Sequence, residues 1–140
     1  MSVSKIHFEG LTNLLEGKHP HDFMVLFYAD WCGYCKKFRP IYEALETDIP
    51  KYEINLASPM GPPMSGGGET LTYAHALKQR PSIATEHYKI DDLSKFVGGY
   101  PTTIFFTNAG KVEKDIHVVA GGRTTEQLTE KLKEVYGRTT

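Results

Sequence analysis

The sequence holds very little cysteine: two residues among 140, Cys32 and Cys35. A secreted domain stapled by disulfides carries more, spread along its length, so that class is excluded. Any apolar run near the roughly 20 residues of a membrane-spanning helix is missing too, and no membrane association is expected. Nor is there an excess of one charge: 16 Lys and Arg face 17 Asp and Glu, for a formal net charge of −1. That balance offers nothing to a polyanion, so nucleic acid is not an expected partner. The first residues, Met1 to Phe8, lack the apolar stretch of a secretory leader, and the ending Gly137 to Thr140 is no retention signal. The expected location is therefore cytoplasmic. Tryptophan occurs once, as Trp31, immediately before Cys32.

What is present describes an ordinary folded domain. A hydrophobic fraction of 40% and a charged fraction of 24% exclude whole-chain disorder. The length suits a single domain over residues 1–140, able to bury about two-thirds of its unfolded surface. Ile6 to Phe8 reads as a short strand, and Glu9 to Leu15 as a short helix closed by Gly17. Phe23 to Tyr28 is an unbroken apolar and aromatic run, the pattern of a strand covered on both faces. A helix is expected from Cys32 to about Thr47, with Phe38, Ile41, Tyr42 and Leu45 on its apolar face and a kink at Pro40. Lys51 to Leu56 alternates and reads as a strand.

Residues 57–96 then form an enlarged insertion, long for a connection in one domain. Its start, from Ser58 to Gly68, is a Pro/Gly-rich loop in which Met60 and Met64 stand. Glu69 to Gln79 reads as helix, and so does Asp91 to Val97. Thr102 to Phe106 and Lys111 to Ala120 read as a hairpin about the turn Asn108-Ala109-Gly110. Thr124 or Thr125 caps a last helix whose apolar face is Leu128, Leu132 and Val135. The order is that of an α/β fold with helices flanking a mixed sheet.

The two cysteines stand three apart where the helix after the Phe23–Tyr28 strand begins, on one side of its first turn. A close pair outside an oxidising compartment points to redox chemistry or to metal binding. At a helix N-terminus, unpaired N–H groups and the dipole stabilise negative charge. Cys32 is then the exposed attacking nucleophile, and Cys35, one turn further in, is shielded and resolves the mixed disulfide. A zinc site needs more ligands than two thiols, and none of the six histidines has ligand spacing to the pair. A zinc or iron–sulfur half-site shared across a dimer is the remaining metal reading.

The segment Phe27-Tyr28-Ala29-Asp30-Trp31-Cys32-Gly33-Tyr34-Cys35-Lys36 resembles the active site of thioredoxins and of the catalytic domains of protein disulfide isomerases. Pro40 matches the kinking proline of that family, and Gly99-Tyr100-Pro101-Thr102 resembles its cis-proline segment. Gly121-Gly122-Arg123 and the amphipathic last helix match as well, so the likeness covers most of the chain outside about 57–96. It implies a thioredoxin fold and a thiol–disulfide oxidoreductase that reduces, forms or shuffles disulfides in protein substrates. The implied catalytic pair is Cys32 and Cys35. Trp31, packed beside the disulfide, with Gly33, Tyr34, Tyr100 and a cis Pro101, would shape the substrate groove and tune the pair, and Arg123 would approach the buried cysteine. No metal and no organic cofactor is implied. The implied partners are disulfide- or thiol-bearing proteins and a reductase or oxidant that recycles the dithiol, with the chain a monomer.

Two departures from that pattern stand out. The family's buried acid six residues before the first cysteine is here Leu26, and Glu53 on the neighbouring strand is the carboxylate expected to reach the same place. Tyr34 replaces the proline of thioredoxins and the histidine of eukaryotic isomerases, and the intervening pair tunes the redox potential. A potential less reducing than thioredoxin's is expected. The rival reading is a thioredoxin-fold binding module or complex subunit with an incidental redox pair, its working surface the 57–96 insertion. A glutathione-linked reductase is disfavoured by Gly33 and by Trp31 before Cys32.

Overall fold

The apolar run at 23–28 becomes the middle of a five-stranded sheet. In the computed structural model, which describes residues 3–18, 22–59, 72–79, 88, 92–107 and 115–136, the strands are β1 (Val3–Lys5), β2 (Phe23–Tyr28), β3 (Lys51–Asn55), β4 (Thr102–Thr107) and β5 (Asp115–Ala120). They lie in the order β1-β3-β2-β4-β5. β3 runs parallel to both β1 and β2, while β4 is antiparallel to β2 and β5 antiparallel to β4. All six residues of β2 and all six of β4 are buried, as strands covered on both faces must be.

Helix α1 (Phe8–Asn13) continues into a π-helical turn at Leu14–Lys18; α2 is Gly33–Ala44, α3 Tyr73–Gln79 and α4 Thr125–Tyr136. Successive residues of β2 face opposite layers. Phe23, Val25 and Phe27 pack with α1 and α3, through Phe8, Leu11, Leu15, Tyr73 and Leu77. Met24, Leu26 and Tyr28 pack with α2 and α4, through Phe38, Tyr42, Leu128 and Leu132. The mixed sheet between two helical layers is the thioredoxin fold.

Several boundaries differ from the sequence reading. The first strand is Val3–Lys5 rather than 6–8; Ile6 adds one more bond, its N–H donating to the Glu53 carbonyl at 2.9 Å. Phe8 instead opens α1, because Phe8 and Leu11, three apart, are both buried on its inner face. The expected helix 91–97 is a short 3₁₀ turn, Leu93–Phe96, capped by the Asp92 carboxylate at the Ser94 N–H, 3.0 Å away. Of the 57–96 insertion, α3 and that turn are described, with a bridge between Pro59 and Thr72. Met60, Met64, Glu69, the turn at 108–110 and the start of the last strand lie outside the described residues.

The two helices over the site are held at both ends. Thr124 caps α4: its Oγ1 accepts the Gln127 N–H at 3.2 Å while the Gln127 Oε1 accepts the Thr124 N–H at 3.0 Å. At the other end of α4, the Tyr136 hydroxyl reaches the carbonyls of Phe23 and Phe106 at 2.9 and 3.2 Å. The last turn of α2 ends on Lys51, 2% exposed in β3. Its ammonium donates to the carbonyls of Tyr42, Glu43 and Leu45 at 3.1, 2.7 and 2.7 Å. The Tyr42 carbonyl also accepts the Leu45 N–H at 3.2 Å, while those of Glu43 and Leu45 are of the kind a helix C-terminus leaves without an intrahelical donor.

Candidate active site

Cys32 is the N-cap of α2. Its backbone is extended (φ −84°, ψ 117°), and its sulfur accepts the Cys35 N–H at 3.3 Å, the place an oxygen takes in an ordinary cap. The same sulfur lies 3.7 Å from the Tyr100 carbonyl, to which its S–H donates. Tyr100–Pro101 is a cis peptide. That segment is tied down from behind by Gly121, whose N–H donates to the Pro101 carbonyl at 2.8 Å. Gly121 has φ +79°, a conformation that favours glycine. The sequence thus brings the start of α2, the turn before β4 and the turn after β5 to one edge of the molecule.

Both cysteines are free thiols. Cys32, expected to be exposed, keeps only 6% of its surface, and Cys35 keeps 1%. Cys32 packs among Ala29, Cys35 and, from the cis-proline segment, the half-buried Tyr100. The aromatic neighbours in sequence are the exposed groups instead, Trp31 at 69% and Tyr34 at 76%. Trp31 lies edge-on to the Tyr100 ring, with centroids 5.8 Å apart and planes at 75°. It therefore stands over the cis-proline segment on the open side of the pair. A side chain at Gly33 would meet nothing within 4 Å, so packing does not demand glycine there.

Burial, followed by the hydrogen bond with Cys32, pushes the Cys35 thiol up to about 11; a backbone hydrogen bond with Ala29 and, less strongly, the positive charge of Arg39 pull the other way. Arg39 was not singled out in the sequence. It follows Cys35 by four residues on α2, one turn along the same face. Its guanidinium makes a two-point contact with the Glu53 carboxylate, at 2.8 and 3.1 Å, and sits 4.3 Å over the Tyr28 ring. Arg123 lies elsewhere. It is exposed, its Nη1 donates to the Gly122 carbonyl at 2.8 Å, and it borders a groove of about 240 Å³ with Tyr34, Lys37, Phe38, Ile41 and Gln127. The arginine whose charge acts on Cys35 is Arg39.

Beneath α2, Glu53, Leu26, Thr103 and Val119 stand in register across β3, β2, β4 and β5. Leu26 is fully buried, so no carboxylate lies at the centre of the row. Glu53 reaches the α2 layer from the adjacent strand, but its carboxylate is engaged by Arg39. Thr103 is fully buried as well, and its hydroxyl has no hydrogen-bond partner among the described residues.

The family model described as Thioredoxin matches residues 8–58, which run from α1 through the cysteines to the end of β3. Protein disulfide-isomerase of Medicago sativa is 32% identical over 127 residues, 90% of this chain and 20% of that protein. The chain belongs to the thioredoxin-like superfamily. Protein disulfide-isomerase of Saccharomyces cerevisiae is 26% identical over 113 residues, 81% of this chain and 17% of its own length. The chain thus spans about a fifth or less of these relatives. Among solved structures, thioredoxin of Schistosoma mansoni superposes with a TM-score of 0.58 at 19% identity, over 96% of this chain and 95% of that one. Thioredoxin f2 of Chlamydomonas reinhardtii gives 0.57 at 16% identity, covering 99% of both chains. These structures share the fold. In this thioredoxin-like chain Leu26 stands at the position six residues before Cys32 where the resemblance implied an acid.

Proposed function

We propose that the chain is a protein thiol–disulfide oxidoreductase. The observation that carries this reading is the pair itself: two free thiols one helical turn apart, the outer sulfur capping α2 and facing the backbone of the cis-proline segment. Cys32 attacks a substrate disulfide and forms a mixed disulfide, releasing one substrate thiol. Cys35 then attacks the Cys32 sulfur, releasing the second substrate thiol and leaving the Cys32–Cys35 disulfide. Two electrons pass to the substrate. Run backwards, the steps form or shuffle disulfides. The Tyr100 carbonyl and the faces of Trp31 and Tyr34 offer a substrate strand backbone and aromatic contacts. Disulfide- or thiol-bearing proteins are the proposed substrates, and a separate reductase or oxidant recycles the pair.

The decisive experiment equilibrates the protein in glutathione or dithiothreitol buffers, follows Trp31 fluorescence and traps thiols to read the cysteine state. A reversible Cys32–Cys35 transition is the expected result. A midpoint near about −270 mV makes the chain a reductant, and one near about −180 mV an oxidant or isomerase. No reversible disulfide would overturn the proposal. A binding module is the second reading, favoured by the exposure of Trp31 and of Tyr34, the latter bordering the groove. Replacing both cysteines with serine separates the two, because a binder keeps its partner and an enzyme loses turnover.

A further inference from the structure

Resolving a mixed disulfide requires Cys35 to lose its proton inside a nearly sealed pocket, and burial opposes that loss. The row beneath the helix supplies no acid at Leu26. The groups that face Cys35 are few. On its own helix they are Cys32 and Arg39, and from the turn before it the Ala29 backbone, an uncharged hydrogen-bond partner whose lowering effect on the thiol exceeds that of Arg39. Tyr28 faces it from β2, and Tyr100 from the segment before β4. Burial raises both phenols above their usual range, so both are neutral at physiological pH. In the mixed disulfide the Cys32 sulfur carries no charge. Asp30 and Glu53 act on Tyr28, and Glu53 also binds Arg39.

The guanidinium of Arg39 is therefore the positive charge left beside Cys35 at that step, and three contacts fix where it sits. Two are the hydrogen bonds to Glu53 at 2.8 and 3.1 Å. The third is the Tyr28 ring, 4.3 Å from the guanidinium carbon. The arginine fork suits this arrangement, because it can grip a carboxylate at two points while stacking on an aromatic face.

We propose that Arg39, positioned by Glu53 and Tyr28, is the charge that assists Cys35 in giving up its proton when it resolves the mixed disulfide. It is a positioning residue and does not touch the substrate. In the step, the bond between the Cys32 and substrate sulfurs breaks and the Cys32–Cys35 bond forms. The departing substrate sulfur takes the electron pair, and the proton lost by Cys35 ends on it. Glu53 has two opposed effects, since it holds Arg39 in place and offsets part of its charge. The inference rests on the oxidoreductase reading above.

Both can be tested in one stopped-flow trace. The reduced protein is mixed with an aromatic disulfide whose released thiol is coloured. The fast phase reports attack by Cys32, and the second reports resolution by Cys35. Arg39→Met is expected to slow the second phase about three- to ten-fold at pH 7, leaving the first unchanged; a lost charge lowers the thiolate fraction but leaves a stronger nucleophile. Arg39→Lys should restore most of the rate, and added salt should slow the native protein more than Arg39→Met. Glu53→Gln keeps the shape and removes the opposing charge, so it should speed the second phase. This opposite sign decides the matter even if Arg39→Met folds poorly. A second phase unaffected by either change, or slowed equally by both, overturns the role of Arg39 alone. A native protein with no second phase overturns the oxidoreductase reading and this inference with it.

Discussion

The two ends of α2 meet the same physical problem and solve it with opposite chemistry. At the N-terminal end an N–H needs an acceptor, and the acceptor is a thiol sulfur near the surface. At the C-terminal end three carbonyls converge on one donor, a buried ammonium from the sheet. The first group is a nucleophile and can leave its post to form a bond. The second is sealed by the strands on either side, since Lys51 pairs in register with both Val3 and Met24. Reactivity is thus kept at one end of the helix and anchorage at the other.

Substitutions at the two ends sharpen that contrast. Cys32→Ser should abolish turnover, because the hydroxyl still caps the helix and is a far weaker nucleophile; the check is the rate of disulfide reduction together with the thermal midpoint, which should barely move. Cys35→Ser should leave the first attack intact and accumulate mixed disulfides, visible on a non-reducing gel. At the far end, Lys51→Met should cost about 2–3 kcal/mol, since the carbonyls lose their shared donor. Denaturant unfolding measures that loss, and the reaction of Cys32 with a small disulfide should be unchanged. If that reaction fell in step with stability, the two ends would not be separable.

A smaller effect concerns pH. Cys35 has an ordinary value near 9 and is raised to about 11 by the fold. Above pH 9 the unfolded chain releases this proton while the native protein keeps it, so stability of the reduced protein should decline between about pH 9 and 11. Below pH 9 the residue contributes no slope. Cys35→Ala should flatten that stretch of a stability-against-pH curve, and an identical slope in the variant would place its origin elsewhere. The smallest effect is expected in the middle of the helix's footprint. Thr103→Val removes a buried hydroxyl that has no partner among the described residues, so it should be neutral or slightly stabilising. A clear loss of stability would mean that the hydroxyl is satisfied in solution.

The start of α2, the strand before it and the cis-proline segment were legible because their signals are local. An unbroken apolar run and a cysteine pair at a strand-to-helix turn declare themselves within a few residues, and Gly99-Tyr100-Pro101-Thr102 resembles a short family segment that implies the cis proline. The first strand was misplaced because Phe8 has strand propensity, but its partner Leu11 lies three residues on, and burial of that pair outweighed propensity. Arg39 was missed for a different reason. Its spacing from Cys35 was readable, but nothing local says that an exposed-looking arginine will reach back to Glu53 on another strand. Glu53 itself was placed correctly beside Leu26. Its engagement by Arg39 depends on how α2 lies across the sheet, which no short segment encodes. The covering of Cys32 likewise comes from Tyr100, 68 residues away.

The lysine at the base of α2 also bears on the order in which the chain can assemble. A twelve-residue helix with Pro40 inside it is marginal alone. Its last carbonyls find their donor only after β3 has slotted between β1 and β2. The segment carrying both thiols therefore cannot hold its final shape as a nascent peptide. The far end of the helix is completed only when a later stretch of sequence arrives, so its anchorage is finished together with the sheet.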